Sequence, residues 1–370
     1  MTQPQPPDGA GERVLVGLSG GVDSSVAAAL SARGGARVEC AYMKNWINEE
    51  EVVGDCPWRE DVDYARRTAD RLGLPFRIVN LMRDYRERIV DYLIEGYRAG
   101  RTPNPDVFCN REMKFGVFLE WARRHGMEAV ATGHYARRLR RADGEWELHE
   151  GADPDKDQSY FLAMLGQRQL AAARFPVGDL AKPEVRRIAS DLGLPTAARK
   201  DSQGICFIGN VRMADFLEKF IPEQPGPIVD PQGRTLGEHR GLHFFTLGQR
   251  RGVGVASPVD RTAYVVVAKN AARNELVVAL DDGAAPGLYA ARCLLGSLSF
   301  INEPIASARQ LEARPRYRAP RVAARAEPVA ERRLLIEFAT PQRALTPGQV
   351  CALHDGRRVL GAGVFEQVLG

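Results

Sequence analysis

The chain has 370 residues, of which 44% are hydrophobic and 26% are charged, and its formal net charge is +4. These values are ordinary for a globular protein, and the length predicts two or three domains. No apolar stretch approaches the ~20 residues of a membrane-spanning helix. The first dozen residues are polar and rich in Pro and Gly, and they resemble neither a secretory signal nor a mitochondrial presequence. We therefore expect a disordered tail and a cytoplasmic location.

The first element is an apolar strand that leads through a glycine turn into a helix. Val14–Val16 predict a buried strand, and the glycines of Ser19–Gly21 allow a tight turn. Asp23–Ser25 open a helix that we expect to end at Gly34. Backbone N–H groups and the helix dipole favour an anion at such a helix start. The lysine of the Walker sequence is absent, so SGGVDSS is a phosphate-binding loop of another type.

Strands and helices then alternate up to about residue 132. We predict strands at Val38–Met43, Phe76–Leu81 and Glu128–Thr132, and helices at Arg59–Leu72, Tyr85–Arg98 and Met113–His125. This alternation predicts an α/β fold with a parallel sheet and helices on both of its faces. Ligands of such sheets bind beyond the carboxyl ends of the strands. The loops at Ser19–Ser24, Met43–Asn45 and Thr132–Tyr135 should therefore converge on one site.

The second half of the chain is richer in β-like patterns. Asp143-Gly144 predicts a hairpin turn, and two more helices should begin at Asp157 and near Pro183. A Pro/Gly-rich segment after residue 221 indicates a boundary, and short β-like runs such as His243–Thr246 follow it. The predicted domains are a tail at 1–12, an α/β domain at 13–220, a small β-rich domain at 221–284 and a C-terminal β-barrel at 285–370.

Arginines cluster in two places. Arg137–Arg141 forms one basic cluster, and Arg314, Arg316 and Arg318 alternate, which would put them on one face of a strand. Such a face either binds an acidic partner or is simply solvated, and the pattern does not decide between these interpretations.

The six cysteines stand at 40, 56, 109, 206, 293 and 351, without a C-x-x-C pair or a zinc-ligand spacing, so no metal site is predicted. Cys109 and Cys206 lie in contexts unlike those of a core residue. Cys109 follows Pro103 and Pro105, which we expect to stiffen a loop and exclude helix, and Asp106 stands three residues before it. A buried structural thiol is the alternative for both cysteines.

Taken together, the motifs resemble those of the bacterial tRNA-specific 2-thiouridylases, PP-loop ATP pyrophosphatases that thiolate the wobble uridine of tRNA. The matching blocks are GLSGGVDSSVAA, MKNW, GRTPNPDVFCNREMKFG, ATGHYAR, DKDQSYFL, KPEVRRIA, DSQGICFI and GLHFFTLGQRRGVG. They follow the family's order from residue 14 to about 255, and the last third matches more loosely, mainly through RPRYR and TPGQ. The pair NPDVFCN and DSQGICFI is the most specific feature.

The resemblance implies a PP-loop α/β fold, ATP and Mg²⁺ as cosubstrate and counter-ion, and tRNA and a sulfur donor, a cysteine desulfurase or a sulfur-relay protein, as partners. It implies that Asp106 is the general acid/base, that Cys206 carries sulfur as a persulfide and that Cys109 is the second catalytic thiol. Both thiols should then be partly exposed, with lowered pKa values. The implied ATP contacts are Gly17, Leu18, Ser19, Gly20, Gly21, Val22, Asp23, Ser24, Met43 and Gly133.

The resemblance also implies a set of tRNA contacts. The target base would meet Asn104, Pro105 and Asp106, and the other contacts would be His134, Lys156, Asp157, Gln158, Arg316, Tyr317 and Gln349. Among these, Tyr317 could stack on a splayed base.

The implied chemistry has two steps. Attack of uracil O2 on the α-phosphorus of ATP converts a poor leaving oxygen into AMP, and persulfide sulfur then replaces it at C2. Two other functions remain open: another PP-loop ATP pyrophosphatase such as an amide-forming ligase, and a non-catalytic nucleotide-sensing module with an RNA-binding barrel. The sequence also leaves open an iron–sulfur cluster on Cys109, Cys206 and a third ligand such as Asp106.

Overall fold

The computed structural model describes residues 11–46, 58–200, 213–257, 259, 261–330 and 332–369. Its first layer is a five-stranded parallel sheet in the order β3-β2-β1-β4-β7. Its strands are β1 Arg13–Gly17, β2 Arg37–Lys44, β3 Phe76–Asn80, β4 Ala129–Ala131 and β7 Ala173–Arg174. Leu15 packs on one face of the sheet with Phe118, whereas Val14 packs on the other with Ala28. The predicted α/β fold is confirmed, and β7 is a strand that the sequence patterns do not indicate.

The helices are α1 Val22–Arg33, α2 Trp58–Leu72, α3 Met82–Tyr85, α4 Asp91–Arg98, α5 Pro105–Phe108, α6 Phe118–Arg124, α7 Ser159–Leu162, α8 Gln167–Ala171, α9 Lys182–Asp191 and α10 Met213–Glu218. A π-helical stretch, Arg86–Val90, joins α3 to α4, and a second, Cys109–Val117, joins α5 to α6. Within the described ranges, none of these helices combines the length and apolar character needed to cross a membrane.

The helix that carries Cys109 begins earlier than the sequence predicts. The expectation that Pro103 and Pro105 exclude helix is wrong, because Pro105 occupies the first turn of α5, where a missing N–H costs nothing. The side chain of Asn104 caps this helix by accepting a hydrogen bond from the backbone N–H of Val107 at 3.2 Å. Cys109 therefore lies in a helix rather than in a loop.

A second, four-stranded sheet in the order β10-β11-β8-β9 follows. Its strands are β8 Gly226–Val229, β9 Thr235–His239, β10 Tyr264–Asn270 and β11 Glu275–Leu280. The β-like run predicted at His243–Thr246 is wrong, since Leu242–Phe244 forms a 3₁₀ turn there. The backbone N–H of Phe244 and Phe245 donate to Gly241 and Leu242, so local hydrogen bonds prevail over a short alternating pattern.

Six antiparallel strands close into a barrel because β12 pairs with both β15 and β17. The strands are β12 Tyr289–Phe300, β13 Arg309–Arg314, β14 Val322–Ala330, β15 Arg333–Arg343, β16 Val350–Asp355 and β17 Arg358–Leu369. The hairpin predicted around Asp143-Gly144 is confirmed as β5 Ala136–Arg140 and β6 Trp146–Glu150. Because β6 also pairs with β17, the hairpin extends the barrel sheet.

Candidate functional site

The loop after β1 has the geometry of an anion site. Gly20 has φ +78°, and a Cβ there would lie 2.6 Å from the carbonyl oxygen of Asp61, so only glycine fits. The backbone N–H of Ser19 donates to Ser24 Oγ at 3.1 Å, and Ser24 Oγ donates to the carbonyl oxygen of Gly21 at 3.0 Å. These bonds fix the loop against the first turn of α1, whose N–H groups are available to an anion.

The loop after β4 presses on the same helix start. A Cβ on Gly133 would lie 2.5 Å from the backbone nitrogen of Ser24 and 2.6 Å from the carbonyl carbon of Asp23. The loops after β1 and β4 thus converge as predicted from the parallel sheet. The other predicted nucleotide contacts lie around them: Gly17 ends β1, and Leu18, Val22 and Met43 are buried.

Asp23 is held by Tyr135, from one of the loops predicted to converge here, and by Lys182, which the sequence patterns do not assign to the site. Lys182 Nζ donates to its two carboxylate oxygens at 2.7 and 2.8 Å, and the hydroxyl of Tyr135 donates to Oδ1 at 2.7 Å. Lys182 stands inside the block KPEVRRIA, which carries the family resemblance, and this is the sequence signal that could have pointed to it. The loop carboxylate therefore lies next to a buried ammonium group.

Arg199 supports the loop from the other side. Its Nη1 donates to the carbonyl oxygen of Gly20 at 2.7 Å, and its Nη2 lies 2.7 Å from Asp61 Oδ1. Burial raises the pKa of Asp61, and the hydrogen bond from Arg199 opposes that effect. The arginine therefore links α2 to the loop and fixes their relative position.

The segment before Cys109 is anchored to the barrel. Gln349 Nε2 donates to the carbonyl oxygens of Thr102 at 2.9 Å and Pro103 at 3.1 Å. The hydroxyl of Tyr160 donates to the carbonyl oxygen of Val350 at 2.8 Å, and burial raises the pKa of Tyr160, which keeps it a donor. The described contacts of Gln349 thus position the segment that precedes Asn104, Pro105 and Asp106.

The predicted base-contacting residues differ in exposure. Asn104 is buried, and its amide nitrogen donates to the hydroxyl of Tyr160 at 3.4 Å. Pro105 and Asp106 are partly exposed in the first turn of α5. Of these three, Asp106 is therefore the ionisable group that a ligand can reach.

Cys109 does not match the predicted exposure. It is 1% exposed within the hydrophobic core, because helix formation from Pro105 turns its side chain inward, so the expectation of a partly exposed thiol is wrong for this residue. Cys206 and Cys56 lie outside the described residues. Burial raises the pKa values of Cys40 and Cys293 to about 12, as expected for structural thiols.

Besides Asn104, two more of the predicted tRNA contacts, His134 and Asp157, are buried. His134 Nδ1 lies 2.7 Å from Thr132 Oγ1, and its Nε2 lies 3.4 Å from Lys114 Nζ. Burial, with a smaller contribution from Lys114, holds the pKa of His134 well below its usual value. Asp157 accepts hydrogen bonds from the backbone N–H of Ser159 at 3.1 Å and from Arg314 Nη1 at 2.8 Å.

Neighbouring predicted contacts also bond within the chain. Gln158 Oε1 accepts a hydrogen bond from the backbone N–H of Tyr135 at 3.1 Å, and both Gln158 and Lys156 are partly exposed.

The alternating arginines do not share a face. β13 ends at Arg314, and Arg318 has φ +62°, so the chain turns instead of continuing as a strand. Arg314 is largely but not fully buried, and its Nη2 donates to Glu150 Oε1 at 2.8 Å. Arg316 is exposed, whereas the ring of Tyr317 packs 4.3 Å from that of Phe161. The prediction of one basic face is therefore wrong, although Arg316 and Arg318 are both exposed.

The cluster at Arg137–Arg141 is engaged within the protein. The guanidinium of Arg138 lies 3.5 Å from the ring centroid of Trp146 and donates to the carbonyl oxygen of Ala171 at 2.6 Å. Arg141 Nη1 lies 2.9 Å from Glu303 Oε1. These contacts favour a structural role for this cluster over a nucleic-acid contact.

A cavity of about 120 Å³ lies between the barrel and the segment of Thr246 and Leu247, which follows the 3₁₀ turn. Thr246, Arg316 and Gln349 line it, and Thr246 Oγ1 lies 3.2 Å from Thr102 Oγ1. Two of the predicted tRNA contacts therefore meet beside the segment that leads to Cys109. In the described ranges, no three or more His, Cys, Asp or Glu side chains form a group that could hold a metal ion.

Three family profiles match successive parts of the chain. Their descriptions are tRNA methyl transferase HUP domain at residues 12–210, tRNA methyl transferase PRC-barrel domain at 214–280 and Aminomethyltransferase beta-barrel domain at 290–365. The first covers the parallel sheet, the second the four-stranded sheet and the third the barrel.

Curated relatives match nearly the whole chain. A tRNA-specific 2-thiouridylase from Akkermansia muciniphila is 55% identical over 356 residues, 96% of this chain and 99% of that protein. One from Aeromonas salmonicida is 44% identical over 359 residues, 96% of each chain. A solved 4-thiouridine synthetase–RNA complex with bound ATP is 20% identical, covers 54% of this chain and 45% of that one, and has a TM-score of 0.35, too weak a likeness to carry an argument.

Proposed function

The chain belongs to the tRNA-specific 2-thiouridylase family, and on that premise we propose that it replaces O2 of the wobble uridine of tRNA with sulfur at the expense of ATP. It is a tRNA-uridine 2-sulfurtransferase, and the observation that carries this assignment is 55% identity over 96% of the chain. The profile descriptions name methyl transfer, but the curated relatives, which span all three domains, name thiolation. We place the reaction in the cytoplasm, where its tRNA substrate would be found.

The nucleotide would bind at the loop after β1. The N–H groups of Gly17–Ser24 and the start of α1 would hold the phosphates, because they form the anion site described above. Mg²⁺ fits these residues, since it binds through substrate phosphates and one or two carboxylates, and Asp23 supplies a carboxylate there. When bound, the ion would neutralise charge on the departing pyrophosphate.

Activation of the base would use Asp106. Its carboxylate is partly exposed at the start of α5. It would take the proton from N3 as O2 forms its bond to the α-phosphorus and the bond to pyrophosphate breaks. The barrel would help through Gln349, which fixes the chain just before this helix.

Sulfur transfer would use two thiols. A donor protein would leave a persulfide on Cys206, and its terminal sulfur would attack C2 as AMP departs. Cys109 would then attack the inner sulfur, so that a Cys109–Cys206 disulfide forms, both thiols are oxidised and the sulfane sulfur is reduced to the thiocarbonyl. Because Cys109 is 1% exposed, neighbouring residues must move for this step when tRNA binds.

The test uses the full chain with an unmodified tRNA transcript, ATP, Mg²⁺ and a persulfide donor. Mass analysis of the digested tRNA should show an oxygen-to-sulfur exchange at the wobble uridine, with AMP and pyrophosphate as the other products. Appearance of ADP, or gain of a methyl group in place of sulfur, would refute the proposal.

A further inference from the structure

Lys182 lies at the phosphate loop although 159 residues separate it from Asp23. Its Nζ donates to both oxygens of that carboxylate, at 2.7 and 2.8 Å, and lies 5.8 Å from the ring centroid of Tyr135. The residue is only 8% exposed. The position of the ammonium group is therefore well defined beside the first turn of α1.

Packing between two helices sets this position. Lys182 is the first residue of α9, and its backbone N–H donates to Asp153 Oδ2 at 2.9 Å. Val185 of α9 packs with Val22 and Val26 of α1 in one buried cluster. The ammonium group is thus fixed by the core and does not depend on a flexible surface side chain.

The loop needs such a cation for a physical reason. It carries no lysine of its own, and it places the carboxylate of Asp23 at the helix start where phosphates would bind. A carboxylate and a polyphosphate repel each other at short range. A buried ammonium next to both would remove that repulsion and donate charge-assisted hydrogen bonds.

We propose that Lys182 is the phosphate-binding cation of this site: it contacts the phosphates of ATP and the pyrophosphate that leaves, in place of the absent loop lysine. The inference rests on the proposed ATP-dependent function. The competing explanation is a purely structural ion pair that ties α9 to Asp23 of α1. The two explanations predict different phosphate affinities when the carboxylate of Asp23 is removed together with the ammonium group of Lys182.

The primary test measures binding of ATP, pyrophosphate and adenosine to the purified full chain by calorimetry. Lys182→Met should weaken ATP and pyrophosphate binding about 10- to 100-fold, as expected for the loss of a hydrogen bond to a charged group, and leave adenosine binding unchanged. Lys182→Arg should retain most of the affinity. Arg187→Met is the matched control, because Arg187 is exposed on the same helix.

The double variant Asp23→Asn/Lys182→Met separates the explanations and protects against misfolding, since it leaves no unpaired carboxylate. If Lys182 binds phosphate, the double variant stays well below Asp23→Asn in pyrophosphate affinity. Equal affinities of these two variants, or wild-type affinity of Lys182→Met, would overturn the inference. A failure of the proposed function would look different: wild-type chain would bind ATP and yet form no AMP with tRNA.

Discussion

Arg314 Nη1 donates to Asp157 Oδ2 at 2.8 Å and so ties the end of a barrel strand to the α/β domain. Both side chains are largely buried, and Glu150 accepts a second hydrogen bond from the same guanidinium. The arginine that the sequence suggests as a contact for an acidic partner therefore holds two domains together.

Replacing this arginine should destabilise the protein. Arg314→Met removes the ion-pair partner of the buried Asp157, whereas Glu150 keeps Arg321 at 3.5 Å, so we expect a loss of about 3 kcal/mol in the free energy of unfolding, measured by urea denaturation. Arg309→Met, which removes an exposed pair with Asp355, should cost less than about 1 kcal/mol. Similar costs for the two variants would contradict the buried role.

Gln349 should act on the rate of the reaction more than on tRNA affinity. Gln349→Met removes the amide that holds the carbonyl oxygens of Thr102 and Pro103, so the following helix start should shift and kcat should fall about tenfold or more. Gln342→Met is the control, because that amide donates to Thr340 within its own strand. A raised Kd for tRNA with unchanged kcat would instead indicate a direct contact.

Gly133 should be intolerant of any side chain. Gly133→Ala places a methyl group 2.5 Å from the backbone nitrogen of Ser24, so the start of α1 must move, at a cost of about 1–3 kcal/mol. ATP binding should weaken in parallel. Gly166→Ala, where a Cβ meets nothing within 4 Å, is the control, and equal ATP affinity of the two variants would exclude this packing argument.

The two proposed thiols should fail at different steps. Cys206→Ser should abolish thiolation and retain formation of AMP. Cys109→Ser should also abolish thiolation and yet still accept a persulfide, because the receiving sulfur is unchanged. Mass spectrometry of the chain after incubation with a persulfide donor tests these roles. A persulfide on Cys109 and none on Cys206 would reverse the two assignments, and a persulfide on neither cysteine would refute both.

Acid should destabilise the fold through His354. This residue is fully buried, neither ring nitrogen has a hydrogen-bond partner among the described residues, and burial lowers its pKa to about 3. Because the unfolded chain takes up this proton near pH 6.5 and the folded chain does not, stability falls as the pH drops from about 6.5 towards 3. In urea denaturation at several pH values, His354→Leu should reduce the slope of unfolding free energy against pH by up to about 1.4 kcal/mol per pH unit. An unchanged slope would contradict this role of His354.

The first strand, loop and helix could be predicted because their residues carry local signals. Val14–Val16 are apolar, and Gly20 takes the positive φ that its turn requires. In contrast, the barrel strands Arg309–Arg314 and Val322–Ala330 contain few large apolar residues. Their pairing with neighbours on both edges, rather than their own pattern, makes them strands.

The missed parts of the site depend on contacts between distant segments. The pair of Asp23 and Lys182 joins residues 159 positions apart, and the bond from Gln349 to Thr102 spans 247. The hydrophobic periodicity of a sequence indicates helices and strands, but it does not indicate which distant residues pair. The prediction of a loop around Pro105 is wrong for a different reason, because proline is excluded from the interior of a helix but not from its first turn.

The pairing of β6 with β17 has a consequence for dividing the protein into fragments. His149 and Leu148 of the hairpin face Arg358 and Val359 of the last strand, so the hairpin belongs to one domain by chain order and to the other by hydrogen bonding. A fragment that ended before the barrel would expose the outer edge of β6, and unpaired edges invite strand addition from other molecules. The barrel thus acts as an intramolecular cap against self-association, and expression of the nucleotide-binding half alone would favour aggregates.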